Sequence, residues 1–440
     1  MKYDCIIIGA GLAGLTATYK LAKSGKKVLL IEKEKFLGGR NSSWLDGDFF
    51  VEAGFHRHIG YYKELPKLLS EVGVNINDIV MWEKEAEIKI INDKKIVLGI
   101  SPFHNPFTFI KDIIGNKEFL SFRDKLSLLK LFIFGFFDYK FYSSELDKYS
   151  ILEYCEKLHI SDNVIKYIVT SLSTGIFFLP IDKYSSKLFF GLFYPSIFRL
   201  ISLRIGAYTG GMSDVIAKPI ANKIIENGGT IMVNTKVKKL IIKDNKVLGV
   251  ETDSEYLSNY TILATDIDNS KKLVNELESI EINKVKKMLT TSAISVSIEL
   301  SKPMMPLDRV TFSPLTMIAS FTEESRSTFK ASCGRLSIIL ANPDEYLNWS
   351  DRKIFNKLIK EFEKININLK DYILDYRVIR HENKFYNFGP GNDYLRPNTD
   401  SGIEGLLLCG DYTNQSMFST MEGAVISGIN VYNYINKRKN

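Results

Sequence analysis

The 440-residue chain is poor in cysteine and histidine, with four of the first and five of the second. Cys5, Cys155, Cys333 and Cys409 stand far apart without a C-x-x-C pair, which excludes a disulfide framework, a cysteine zinc site and a redox dithiol. The histidines have no metal-ligand spacing, so no metal is expected, and His104, His159 and His381 read as structural. No apolar run is both long and uninterrupted: Leu128 to Phe137 contains Lys130, and Leu188 to Leu203 contains Pro195 and Arg199, so neither reads as a transmembrane span. Both read first as buried core, with a greasy entrance as the alternative. The first strand begins near residue 3, which leaves no space for a cleavable secretory leader and makes the cytoplasm the expected location. Repeats and low-complexity tracts are absent. The net charge of +7 is spread along the chain without a basic-aromatic motif, so nucleic acid is not an expected partner.

What is present starts at once. Tyr3 to Ile8 is an apolar strand that runs into Gly9-Ala10-Gly11-Leu12-Ala13-Gly14, a G-x-G-x-x-G turn that opens a helix. The first glycine permits the tight turn, the second lets the main chain approach a pyrophosphate, and the third lets helix and strand pack closely. A second β-branched strand, Lys27 to Ile31, ends on Glu32, where a carboxylate accepts a ribose 2'-hydroxyl and repels a 2'-phosphate. Strand, turn, helix and acid together predict a dinucleotide site. No second G-x-G-x-x-G follows, which excludes a separate nicotinamide domain of the disulfide-reductase kind.

Beyond residue 64 the character changes. Residues 97–204 are rich in Phe, Tyr and Leu and predict a mainly helical region, with Ser150 and Ser161 as N-caps of the helical patterns Ile151 to Leu158 and Ser161 to Ser171. A helix over Ser213 to Asn227 then meets Gly228-Gly229. Strands are expected at Thr230 to Val233, Val237 to Lys243, Lys246 to Glu251 and Tyr260 to Asp266. Residues 270–395 predict an antiparallel sheet with one clear covering helix, Asp351 to Lys364.

Four separated pieces carry a family resemblance: the glycine turn with Glu32; Gly38-Gly39-Arg40; Gly228-Gly229 with Thr235-Lys236-Val237; and Leu408-Cys409-Gly410-Asp411 followed by Met421-Glu422-Gly423-Ala424. The chain resembles the flavin-containing amine oxidase and phytoene desaturase superfamily over nearly its whole length. That resemblance implies FAD as cofactor. It implies contacts from Gly9, Gly11, Ala13, Gly14, Glu32, Lys33, Gly39, Arg40, Gly54, Phe55, His56, Val237, Gly410, Asp411, Met421 and Ala424. An arginine fork suits phosphate oxygens, and the N-terminus of the last helix suits the charge of a reduced flavin.

Within the superfamily, Glu52-Ala53-Gly54-Phe55-His56-Arg57-His58-Ile59-Gly60-Tyr61-Tyr62 is similar to the E-x-G-x-H-x-x-x-G-x-Y stretch of plant-type and cyanobacterial carotene desaturases and squalene-associated desaturases. Amine oxidases of the superfamily hold a lysine near the flavin and an aromatic cage. Here Ser295 stands at the expected lysine position, Met304-Met305 at a Phe-Trp pair, and Thr420 where the cage has tyrosine. Lys302, and the pair Asp308-Arg309, read as solvated turn charges, the pair having an entrance role as the alternative.

The expected fold is α/β, α+β overall: a Rossmann-like FAD lobe of residues 1–64, 205–268 and 396–440, and a substrate lobe of antiparallel sheet and helices from residues 65–204 and 269–395. The expected activity is hydride removal from a substrate carbon to flavin N5, desaturating a polyprenoid or carotenoid-like apolar substrate with quinone or oxygen as acceptor and peripheral contact with the cytoplasmic face of a membrane. The alternatives are an amine oxidase that gives imine and hydrogen peroxide, a protoporphyrinogen-oxidase-like dehydrogenase, and a non-enzymatic FAD-bearing scaffold. His56 and Arg57 are the candidate catalytic residues: His56, like His58, reads as a proton acceptor near neutral pH or as a structural histidine bonded to backbone, and Arg57 as a contact for cofactor phosphate or a carboxylate or as a surface cation. The oligomeric state is left open.

Overall fold

The computed structural model describes residues 2–92, 94–387 and 389–437. Its opening unit is strand β1 (Lys2–Ile8), helix α1 (Leu12–Lys23) and strand β2 (Val28–Ile31), paired parallel. Both strands are almost wholly apolar because both faces of their sheet are covered. Thr230–Met232 adds outside β2, Glu255–Leu263 lies beside β1, and Leu406–Leu408 pairs with Glu255–Leu263, all parallel. The hairpin Lys239–Lys243 and Lys246–Glu251 extends this sheet antiparallel to seven strands. Of the expected strand limits that shift, two lie at the cleft described below. Pairing begins at Lys239, which leaves Val237 free to line that cleft. The strand expected to reach Asp266 ends at Leu263, and Asp266 instead accepts the Asn269 N–H at 2.9 Å to cap the next helix.

The second sheet also has seven strands, in the order Ile373–Tyr386, Thr290–Leu300, Gly334–Leu340, Ile318–Glu323, Thr311–Phe312, Glu85–Ile90, Lys94–Gly99. The helix Asp351–Lys364 forms where periodicity places it, capped by Ser350. It buries Ile354, Phe355, Leu358 and Phe362 against Ile294, Val296 and Ile298. Strand alternation sends Ser295 and Ser297 to the opposite face, and there the Ser295 hydroxyl donates to the Ala53 carbonyl at 3.0 Å. A small sheet of Arg57–Ile59, Ile205–Tyr208 and Val80–Trp82 stands between these layers.

The aromatic region is helical, with Pro106–Ile114, Phe122–Phe141, Ile151–Lys157, Thr170–Phe177 and Ser186–Phe193 as its main helices. Ser150 forms the expected cap, reinforced by Glu153 in a capping box. The turn after Ser161 is wound as a π-helix over Val164–Val169, not as regular α-helix. The core reading fails for half of this region. In Phe122–Phe141 only Asp124, Leu131 and Gly135 are buried, while Leu126, Leu129, Ile133, Phe134, Phe137 and Phe141 are exposed. In the second apolar stretch Leu188, Phe189, Phe190 and Leu192 are buried, but Ile197, Phe198, Leu200 and Ile201 face outward. Among the described residues, no helix is long and apolar enough to cross a membrane.

Candidate functional site

A cleft of about 540 Å³ runs along the C-terminal ends of β1 and β2. One end is lined by Glu32, Lys33 and Val237, the middle by Gly11, Arg40 and Asp411, and the other end by Ala53, Tyr386 and Ala424. Helix α1 begins at this cleft with Gly11 as its N-cap and no acidic residue in its first turn, so no charge on the helix itself offsets its positive end at the cavity. Gly9 has φ of +101°, the left-handed region that glycine tolerates, and a Cβ there would stand 2.7 Å from the Ala264 carbonyl oxygen.

Glu32 is buried and held on both sides. One carboxylate oxygen accepts the Ala10 N–H at 2.7 Å, the other the Glu34 N–H at 3.0 Å, and the remaining lone pairs are available at the cleft wall. Arg40 donates to the Asp411 carboxylate across the middle of the cleft, which ties the chain's first and last cleft segments together. Glu32→Ala strands the Ala10 N–H and removes the ribose acceptor, so flavin affinity is expected to fall about 100-fold, roughly 2.7 kcal/mol, by titration of the apoprotein.

At the far end His381 Nε2 lies 2.6 Å from the Ala53 carbonyl oxygen, the same oxygen that accepts from Ser295. Ser295 thus anchors the cleft wall. Thr420 accepts the Gly423 N–H at 3.0 Å and caps the final helix, Met421–Lys437. Glu422 turns away from the cleft and accepts the N–H groups of Lys63, Glu64 and Leu65 at 2.7–2.8 Å, which caps the helix Glu64–Glu71.

Of the residues expected from sequence, Gly9, Gly11, Ala13, Glu32, Lys33, Gly39, Arg40, Val237, Gly410, Asp411 and Ala424 line this cleft. Gly14, Gly54, Phe55, His56, Arg57 and Met421 do not line it. His56 does not titrate near neutrality: burial, then the charges of His381, Arg40 and Arg57, pull it down to about 4. It is neutral and weakly basic at pH 7, which favours the structural reading of His56 over the proton acceptor. His58 is pulled down to about 3 by burial and Arg204, and sits against the Tyr208 hydroxyl at 3.0 Å. Arg57 touches no cleft wall. It is locked between Glu83 and Asp308, the latter at 2.6 Å. Asp308 is accordingly buried, and Arg309 pairs with Glu85 and Glu87, so neither charge of that pair is a solvated turn charge.

Sequence reasoning missed Lys272, Arg380, Lys384 and Tyr386, which also line the cleft. Arg380, Lys384 and Tyr386 arrive on or beside the strand Ile373–Tyr386, far from any glycine motif. Asp266, another lining residue, was legible as a cap-type residue at a strand end.

A sequence model described as flavin containing amine oxidoreductase matches residues 12–435. The chain belongs to that family. It is therefore an FAD-dependent oxidoreductase. It is 26% identical to a 15-cis-phytoene desaturase of Solanum lycopersicum over 97% of this chain and 76% of the tomato protein. It is 24% identical to the 15-cis-phytoene desaturase of Synechococcus elongatus over 96% of this chain and 93% of that protein. Among solved structures, a triple mutant of putrescine oxidase superposes with a TM-score of 0.77 at 14% identity, covering 99% of each chain, a likeness of fold.

The cleft fits FAD on its own geometry. Its volume is about 540 Å³, and among the described residues outside the turn itself no atom lies within 4 Å of where a Gly11 Cβ would project, so main chain and not side chain would meet the ligand there. When bound, FAD supplies the hydride acceptor. The chain's own groups would hold it: the α1 N-terminus and Arg40 are placed to meet phosphate charge, Glu32 to meet a ribose, and Ala53 and Ala424 are the small residues that would border a flat ring system.

Proposed function

We propose that this flavoenzyme desaturates a polyprenoid or carotenoid-like hydrocarbon drawn from a membrane. The observation that carries the reading is the exposed apolar face of the helical region. Phe107, 88% exposed, and Ile110 and Ile114 project from Pro106–Ile114, the row named above from Phe122–Phe141, and Phe198, 70% exposed, with Ile201 from the adjoining turns. The three segments are neighbours: Lys125 donates to the Gly115 carbonyl at 2.7 Å, and the Phe136 and Tyr194 rings stand 6.0 Å apart. Lys111, Arg123, Lys140 and Arg199, on the same segments, are also exposed, as suits anionic lipid headgroups. A patch of this kind is uncommon on a monomer without a partner.

The inner side of the same helix supports a path for substrate. Tyr139 lines a small cavity with Met417 and Phe418, which lie four and three residues before Met421 at the head of the final helix. Hydrocarbon chemistry asks little of the protein beyond shape, dryness and placement of one carbon. The names of the plant and cyanobacterial relatives agree with that substrate class. Against an amine substrate stands Ser295, whose hydroxyl is committed to the Ala53 carbonyl.

The purified flavoprotein, mixed anaerobically with phytoene-type polyene in anionic vesicles, is expected to lose its flavin absorbance and to float with the vesicles. Phe137→Asp/Phe198→Asp is expected to keep the flavin but lose flotation and most of the bleaching. Bleaching by an amine panel with hydrogen peroxide on re-aeration, and none by polyene, would overturn the reading.

A further inference from the structure

Outside the residues that line the cleft lies a group of ionisable side chains that hydride transfer does not use. Glu52, Glu83, Asp308, Glu323 and Glu324 are buried together with Arg57 and Arg335. Full ionisation would leave five carboxylates against two guanidiniums, an excess of three negative charges shielded from water. Such an arrangement is costly, so the group lowers its charge by holding protons. The partners of each acid show where. Asp308 is the best satisfied, taking Arg57 and the hydroxyls of Thr322 and Ser327. Glu323 accepts the Met304 N–H at 2.7 Å, the Arg335 N–H at 2.8 Å and the Ser325 hydroxyl. Glu83, Glu324 and Glu52 are left with less. Glu83 has Arg57 and the Val310 N–H at 3.0 Å, Glu324 has Arg335 at 3.6 Å, and among the described residues Glu52 has only the Met212 N–H at 3.4 Å.

Burial pushes Glu83 and Glu324 up to about 7, against the pull of Arg57 and Arg335 respectively, and raises Glu52 well above the usual carboxylate range. The other charges acting on these acids are fixed in place. Asp308 raises both Glu83 and Glu324, Arg57 also lowers Glu324, and Glu324 and Asp214 raise Glu52 while Arg335 lowers it. Beyond them, Glu299 takes one arm of Arg335, and Arg309 is spent on Glu85 and Glu87. His56 and His58 remain neutral.

Position gives this cluster a use. Glu52 is joined directly to Ala53, which lines the cleft, and Arg57 acts on His56, which also feels the cleft residue Arg40. A dehydrogenation removes two hydrogens from substrate, one as hydride to the bound flavin and one as a proton from the neighbouring atom. That proton needs a base, and the three histidines behind or beside the far cleft end, His56, His58 and His381, are too acidic to hold it at pH 7. We propose that Glu83 and Glu324, held by Arg57 and Arg335 with Glu52 beside them, form a proton-holding site that takes up the proton released beside the cleft in each turnover. The broken C–H bond leaves its electron pair in the new double bond, and the proton forms an O–H bond on an ionised carboxylate of the cluster. Arg57 and Arg335 are positioning residues that keep one acid ionised while its neighbour is protonated.

The first test needs no substrate, so its failure is separable from failure of the desaturase reading. Difference infrared spectra of the flavoprotein, with glutamate carboxyl carbons isotopically labelled, are recorded from about pH 5 to about pH 9. A labelled, protonated-carboxyl band that fades as pH rises through about 7, and that loses amplitude in Glu83→Gln and in Glu324→Gln, is the expected result. No titrating glutamic acid band in the wild-type protein overturns the proposal, whether or not the variants fold. The second test is the pH profile of flavin bleaching by whichever substrate class bleaches it. The limb near pH 7 is expected to shift by about one unit in Glu83→Gln with flavin content and melting temperature unchanged. An unshifted limb in both variants also overturns the proposal.

Discussion

Arg335→Leu is expected to be the most destabilising single substitution in the second sheet, by about 3–5 kcal/mol. Arg335 has no exposed surface, sits in the strand Gly334–Leu340, and spends its guanidinium on Glu299 at 3.0 Å, Glu324 at 3.6 Å and the Phe50 carbonyl. The Phe49 and Phe329 rings lie 4.7 and 4.3 Å from its guanidinium carbon. Leucine fills part of that volume but leaves a carbonyl and the Glu324 carboxylate without their cation. The sign of the pH dependence follows. Glu324 already binds its proton more tightly in the folded chain than in the unfolded one, so its contribution to stability falls as pH rises from about 4.5 to about 7. Loss of Arg335 removes an interaction that lowers this pKa, which extends the decline above pH 7. Thermal melts are therefore expected to separate variant from wild type more at pH 8 than at pH 6. Arg335→Leu/Glu324→Gln should recover part of the loss, since it removes the stranded charge as well. Equal losses at both pH values, with no recovery in the double variant, would mean that packing around Phe49 and Phe329, and not charge, sets the cost.

The difference between what was readable and what was not follows chain distance and direction. The turn from Gly9 to Gly14 and the acid at Glu32 are short-range: each constraint acts within about 25 residues, on a βαβ unit that sequence patterns describe directly. The helix Asp351–Lys364 was equally legible because one clear apolar stripe faces the sheet. The acid-arginine cluster was not. Arg57 meets Asp308 across 251 residues, and a glutamate in a strand pattern gives no sign of whether it is solvated. The helix Phe122–Phe141 failed for another reason. It carries large apolar residues on most of its circumference, so periodicity marks no inner face, and abundance of phenylalanine was read as burial. His56 was placed in the right segment, but its protonation depends on burial and on Arg40, Arg57 and His381 together, and no local pattern encodes that.

The cleft itself is best probed by two glycines in one turn that fail for different reasons. At Gly14 a Cβ would overlap the Gly9 carbonyl oxygen and stand 3.2 Å from the Ala264 Cβ, all of it backbone or short side chain that cannot swing aside. Gly14→Ala must therefore lift α1 off β1, at a strain of about 1–3 kcal/mol, and carry the helix N-terminus away from the cleft. At Gly11 the backbone has φ of −68°, and a Cβ meets no protein atom within 4 Å. Gly11→Ala is accordingly expected to melt within about 0.5 kcal/mol of wild type as apoprotein. Its methyl group, however, stands in the cleft where a pyrophosphate would contact main chain, so flavin affinity is expected to fall at least about 100-fold. Gly14→Ala loses both stability and flavin, Gly11→Ala flavin alone. Apoprotein melting and flavin titration on the pair separate the two effects. Normal flavin binding by Gly11→Ala would show that the ligand does not approach α1 through this turn, and with it would go the cleft assignment on which the active site rests.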